Sequence, residues 1–300
     1  MSDFSGPALG REDLIASYFT LTGSPVMVPP RFSFQDRVAA AAEAGFAAIG
    51  LLTDDYLALR ESGLDDRTMR SILDDHGIGI GEVEFLFLWT DDREEMAAAA
   101  RAQEDLAWAM AEAFDPRHVN VGELRPPGEA LPTERLAERF SALAGRAASH
   151  GLLVAFEFLP WTAVPDVETA LDLVRLADCP NAGLLVDAAH LFWGPSDLGS
   201  LRELKPHEVT GIQMDDGETA AEGDPAERTM TVRTFPGSGD FDLLGLIRAL
   251  DDIGVDAPLS AEILCSEIQE MPVAEAARRT HDSLRAVVDQ ARGGAPGRAG

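Results

Sequence analysis

Two kinds of apolar pattern alternate along the chain. Short unbroken runs such as Leu184-Leu185-Val186 have no polar face, as expected of strands buried on both sides in a parallel sheet. Between them lie longer stretches with apolar residues at helical spacing, such as Val38, Ala41 and Ala42 within 34–44, which Gly45 would close. In order, the runs predict strands at 17–21, 47–52, 78–86, 118–122, 152–158, 184–187, 208–214 and 259–264. Helices are predicted at 34–44, 67–74, 93–113, 133–149, 167–177, 198–204, 241–253 and 273–290. Eight strands alternating with helices favour an α/β protein of one domain, a (β/α)8 TIM barrel over 13–290, rather than an open doubly wound sheet. Residues 1–12 read as a flexible N-terminus and 291–300 as a flexible Gly-rich tail.

The ends of the strands carry the candidate chemistry, because the loops that follow them form the working face of such a barrel. Four consecutive runs stop at a potential metal ligand: Val154-Ala-Phe-Glu157, Leu184-Leu-Val-Asp187, Thr210-Gly-Ile-Gln213 and Pro258-Leu-Ser-Ala-Glu262. Three carboxylates brought together repel one another and favour a cation between them. Oxygen donors suit Mn²⁺ or Mg²⁺, with Co²⁺ and Zn²⁺ as further candidates. The competing reading is a set of polar strand caps, or salt bridges to arginines. Of the six histidines, only His190 follows a strand; His118, His150 and His207 precede or open strands, His76 ends a helix, and His281 lies in the last one.

Aromatics load the same strand ends: Phe85, Phe87, Trp89, Phe158, Trp161, Phe192 and Trp193. Such walls suit a substrate carrying an apolar group better than a bare sugar; rings that pack as core or stack on a sugar face are the alternative. The polar stretch 216–235, with Arg228 and Arg233, has the length of a lid or of a surface insertion without a role. Asp215 or Asp216 would stand behind the metal ligands. Pro236-Gly-Ser-Gly239 turns the chain into the next helix, and no phosphate-binding glycine loop is present.

Composition narrows the function. A formal charge of -28 disfavours nucleic acid as a partner. No run approaches the roughly 20 apolar residues of a membrane span, and the first ten residues lack a signal-peptide pattern. Cys179 and Cys265 have neither metal-like nor disulfide spacing, so a cytoplasmic protein acting on a small molecule is expected, and a homodimer is compatible with the sequence.

The segments FEFLPW, GLLVDAAH, GIQMDDGE, RTFPGSGDFD and APLSAEI resemble the xylose-isomerase-like barrel superfamily of sugar-phosphate isomerases and epimerases. The resemblance covers nearly the whole chain and is clearest from Leu152 to Glu267. It implies one divalent ion on Glu157, Asp187, Gln213 and Glu262, with His190 and Arg233 at positions that touch substrate. It also nominates Glu157 and Glu262 as the proton-exchanging pair of an epimerase. Trp161, Trp193, Phe87 and Trp89 are the substrate-wall candidates from the aromatic reading. Epimerases of this group commonly carry histidine where this chain has Gln213; glutamine there resembles the 3-dehydroshikimate dehydratase branch, as do the PGSGDF and PLSAEI segments. The expected activity is therefore a metal-dependent isomerase or epimerase working through an enediolate, with a dehydratase as alternative and a non-catalytic binding protein as the reading from another class. The endonuclease branch, which needs several zinc ions and many histidines, does not fit.

Overall fold

The computed structural model describes residues 9–26, 28–91, 93–220 and 222–293. Eight parallel strands pair in chain order and close: β1 (Leu14–Ala16), β2 (Ala48–Leu52), β3 (Gly79–Leu86), β4 (His118–Gly122), β5 (Leu153–Glu157), β6 (Ala182–Asp187), β7 (Val209–Met214) and β8 (Leu259–Ala261). The closing pair is β1 with β8, Leu14 opposite Leu259 and Ala16 opposite Ala261. The architecture is the (β/α)8 barrel. Most of the proposed termini, 1–8 and 294–300, lie outside the described residues.

Side chains alternate along each strand, and the two faces do different work. Outward residues such as Phe156 meet the helices: the ring contacts Phe140 and Trp89 at 5.4 and 6.2 Å between centroids. The helix Thr133–Ala148 supplies Phe140 from a buried stripe of Leu136, Ala137, Phe140, Leu143, Ala144 and Ala147, the spacing that keeps one helical face on the sheet. Inward residues line the barrel axis, where polar side chains gather toward the top. Gly50 is small because its strand runs against them: a Cβ there would overlap the Glu84 carboxylate and lie 2.7 Å from the Tyr18 amide nitrogen.

Sequence patterning located seven of the strands to within a few residues. The first differs: the strand is Leu14–Ala16, and Tyr18–Leu21, expected as strand, forms a short helix. Both segments are apolar, so local pattern does not separate them; pairing with β2 and β8 does. Strand-like Thr20 instead turns its hydroxyl onto the Ala261 carbonyl at 2.7 Å. The eighth strand also ends earlier than expected, at Ala261, so Glu262 is the first residue beyond it. Four further helices arise where none was expected: Thr53–Glu61, Ala188–Trp193, Pro225–Thr231 and Ser266–Glu270. No helix among the described residues is long and apolar enough to cross a membrane.

Candidate metal centre and substrate cavity

Period-two alternation fixes which strand residues look inward. Asp187 ends β6 and doubles as the N-cap of Ala188–Trp193, accepting from the His190 amide at 2.9 Å. That one-turn helix folds His190 back over the strand end. The His190 Nδ1 then lies 3.1 Å from Glu157 Oε1 at the end of β5. Glu157, Asp187 and His190 bring one donor atom each within 4.8 Å of one another, all three residues buried. Glu262 joins through Gln213, whose Nε2 donates to Glu262 Oε1 at 3.0 Å. The four strand-end residues and the single top-face histidine of the sequence reading thus share one neighbourhood.

Arg233 binds the cluster together. Its Nη1 lies 2.7 Å from Asp187 Oδ2, 2.5 Å from Asp215 Oδ2 and 2.9 Å from Glu262 Oε2. Its Nη2 faces His190 Nε2 at 3.2 Å, and its Nε donates to the Thr229 carbonyl at 2.9 Å. The segment 216–235 delivers it by being pinned at both ends. Asp216 and Thr234 exchange backbone bonds of 3.0 and 2.7 Å, and the Asp216 carboxylate takes amides from Gly217, Gly237 and Phe241. Within this strap the helix Pro225–Thr231 starts on the Asp224 cap.

The charges respond to this packing. Burial raises the Glu262 carboxyl to about 7; Arg233 opposes the rise, and Glu157 and Asp187 add to it. Burial and then Asp187 push Asp215 well above the ordinary range, against the pull of Arg233. Asp187 goes the other way: burial is outweighed by Arg233 and His190, and its pKa falls. For His190, burial is outweighed by Asp187 and Glu157, and the pKa rises. Arg233 itself is held charged, its burial outweighed by Asp187, Asp215 and Glu262.

The donor set fits a divalent cation. Among the described residues, the buried Gln213 Oε1 and Asp215 Oδ1 lack a hydrogen-bond partner, although buried polar atoms are normally paired. Gln213 is one of the proposed ligands, and carboxylate, amide oxygen and imidazole are the ligand types such ions take.

Sequence reasoning missed Glu84 and Ser17. Ser17 Oγ lies 3.1 Å from Glu262 Oε1 and 3.4 Å from Glu84 Oε2, while Glu84 accepts the Tyr18 amide at 2.9 Å. Burial first, then Glu82 and Glu262, push the Glu84 carboxyl well above its ordinary range. The signal was present in Glu82-Val-Glu84: two acids at strand spacing in an otherwise apolar run share the inward face.

Above the cluster lies a cavity of about 320 Å³, whose lining includes Glu157, His190, Gln213, Arg233 and Glu262, a volume in the range of small-molecule sites. Phe87 and Trp161 line it as expected, and the Trp161 ring meets His190 edge-on at 5.3 Å. Trp89 and Trp193 do not. Trp89 is buried beside Phe140 and Phe156 with its Nε1 on the Gly122 carbonyl. Trp193 packs on Phe241, under the Arg228 guanidinium, and donates to the Glu218 carbonyl. Phe158 is fully buried, and Phe192 stacks on Phe241. Strand-end position alone does not distinguish a ring facing the cavity from one folded under a loop. Phe85 does line the cavity, with Phe19, Leu124 and Met230.

Comparison with known proteins places this geometry among relatives. Residues 38–287 match the sequence family described as xylose isomerase-like TIM barrel. A 3-dehydroshikimate dehydratase of Pseudomonas aeruginosa is 36% identical over 138 residues, 46% of this chain and 22% of that protein. An inosose isomerase of Bacillus velezensis is 28% identical over 156 residues, 51% of this chain and 55% of that protein. The matches therefore span about a fifth of the dehydratase and about half of the isomerase. In structure, the chain is similar to the IOLI protein solved with a bound zinc atom (TM-score 0.79, 19% identity, 93% of this chain and 98% of that one). It is also similar to D-psicose 3-epimerase of Clostridium cellulolyticum (TM-score 0.69, 14% identity, 92% and 99%). These structural likenesses share the fold.

Proposed function

The chain belongs to the xylose isomerase-like TIM barrel family, and from that premise we propose that it is a divalent-metal-dependent isomerase or epimerase acting on a hydroxyketone. The supporting observation is the convergence of Glu157, Asp187 and His190, with donor atoms within 4.8 Å, beneath a cavity that also exposes Gln213 and Glu262. Glu157, Asp187, Gln213 and Glu262 would hold the cation; their oxygen donors favour Mn²⁺ or Mg²⁺, with Zn²⁺ and Co²⁺ as alternatives. When bound, such a cation supplies Lewis-acid stabilisation of negative charge building on the substrate oxygens.

The residues of the chain move the proton. Glu157 and Glu262 come from strand ends three apart in the ring and bracket the space between them. One takes the proton from the carbon beside the carbonyl, and the other returns it from the opposite face. His190 holds Glu157 in place. Arg233 compensates the charge of Asp187, Asp215 and Glu262, and contact with a substrate oxygen is its second role. Glu157→Gln is expected to lose both bound metal and incorporation of solvent deuterium into substrate, with the far-ultraviolet circular dichroism unchanged. Full activity of chelated, metal-free protein would reject the reading.

A second reading is favoured by Gln213 and by the partial match to a 3-dehydroshikimate dehydratase. There His190 takes the same proton and a carboxylic acid assists departure of the β-hydroxide. A conjugated chromophore appearing on turnover marks that outcome; deuterium exchange without loss of water marks the first. Ligand binding with neither signal would leave a non-catalytic binding protein.

A further inference from the structure

The composition of the cavity wall says more about the substrate than the polar cluster does. Its acids, Asp54, Glu84, Glu157 and Glu262, face a single guanidinium, that of Arg233. That guanidinium is already committed to three carboxylates, a carbonyl and the His190 ring. The divalent cation of the proposed site would offset the negative charge only at the polar end; beyond it, the described lining offers an anionic group no uncommitted cation. Besides Thr53, Thr229, Gln213 and His190, the rest of the wall is apolar. Leu124 and Met230 stand at the rim 47% and 39% exposed, among the few large apolar side chains so exposed in the described residues. With Phe19, Phe85, Phe87 and Trp161 they line the same cavity as the polar cluster. A polyol covered in hydroxyls would strip water from itself against that surface and gain little in return.

We infer that the substrate is a neutral hydroxyketone carrying a compact apolar group such as an aryl ring, which the Phe85, Phe87, Trp161 and Met230 wall receives, and that carboxylated and phosphorylated ketones are rejected. The inference rests on the reading that this site deprotonates a carbon beside a carbonyl, and deepens it by naming the substrate class. Trp161 couples the two ends: its ring is part of the wall and touches His190, so the apolar group is seated next to the reacting carbon. Removing an aryl ring from water into such a wall gives an expected preference of roughly tenfold or more over the same molecule without the ring.

The test uses the full chain saturated with Mn²⁺ and a ligand series on one scaffold: inosose, a panel of its mono-O-benzyl ethers, and its monophosphates. Calorimetric dissociation constants test the inference, and deuterium incorporation beside the carbonyl tests the reading beneath it. At least one benzyl ether is expected to bind roughly tenfold or more tightly than inosose, and the phosphates more weakly than inosose. Phe87→Ala and Met230→Ala should each narrow the benzyl preference. Equal affinity for ether and parent, tighter binding of a phosphate, or no binding by any of the series would overturn the inference. Exchange without a benzyl preference sinks the inference alone; a benzyl preference without exchange upholds it and sinks the proton-transfer reading.

Discussion

Two layers of buried charge lie one strand-step apart inside the barrel, and they are built on opposite terms. In the lower layer one carboxylate, Glu82, is surrounded by His118 Nε2 at 3.4 Å, Asn120 Nδ2 at 3.4 Å and Ser260 Oγ at 2.5 Å. It is sealed from solvent on all sides. In the upper layer Glu157, Asp187, Asp215 and Glu262 share one guanidinium and one imidazole, and Glu157 and Glu262 open onto a cavity. One acid among neutral or weakly charged partners holds strands together. Four acids around one arginine leave negative charge that a divalent cation would balance. The difference is between a layer that serves the fold and one whose cost the proposed metal chemistry would account for.

The largest effect that would sharpen this contrast is expected from Arg233→Met. Without the guanidinium, Asp187, Asp215 and Glu262 face one another in a buried site, and the metal-free protein should lose about 3 kcal/mol or more in urea denaturation. Saturating Mn²⁺ should recover part of that loss, and should stabilise this variant more than the native chain. A deficit that metal does not touch would mean that the upper layer is structural like the lower.

Glu82→Ala comes next. It strands Asn120 and Ser260 without their acceptor, removes the carboxylate beside His118 and should cost about 2 kcal/mol, with metal affinity kept. Loss of metal comparable to that in Glu157→Gln would merge the two layers and end the comparison.

The pH responses should be opposite in sign. Glu262 is raised from its ordinary 4.5 to about 7, so the folded state holds a proton that the unfolded chain has released. Its contribution is present below 4.5 and is lost as pH rises toward 7 in metal-free protein. Burial holds His118 below its ordinary 6.5, against the pull of Glu82. There the unfolded chain binds the proton more readily, so that contribution is present above 6.5 and lost on acidification. Urea midpoints between pH 4.5 and 8 should fall less with rising pH in Glu262→Gln than in the native chain, and should fall less on acidification in His118→Asn. Identical profiles would remove the electrostatic distinction.

The smallest expected effect lies in the strap. Asp224→Ala removes the cap of Pro225–Thr231, bonds of 3.0 and 3.1 Å to the Ala226 and Glu227 amides, and should cost about 1 kcal/mol. Amide exchange across 225–231 should quicken while metal affinity stays the same, because Asp216 and Thr234 still pin the ends of the strap. A drop in metal affinity would show that the helix helps to set the upper layer.

The amino-acid sequence determined most of the barrel and the centre of the site, because both are written in local periodicity. Apolar runs of strand length recur between helical stretches, and a residue that ends a strand in such a barrel can point only inward or outward. That made Glu157, Asp187, Gln213 and Glu262 legible as a group, and His190 as their neighbour. What the tertiary structure alone decided depends on contacts between distant segments. Leu14–Ala16 rather than 17–21 is the first strand because β2 and β8 select it. Trp89 and Trp193 turn into packing while Phe85, Phe87 and Trp161 face the cavity, a choice made by loop paths and not by spacing. Arg233 sits among three carboxylates because the strap is fastened at Asp216 and Thr234, and Glu84 joins them across the barrel through Ser17. Periodicity is a property of neighbours in the chain; charge compensation and cavity shape are properties of neighbours in space.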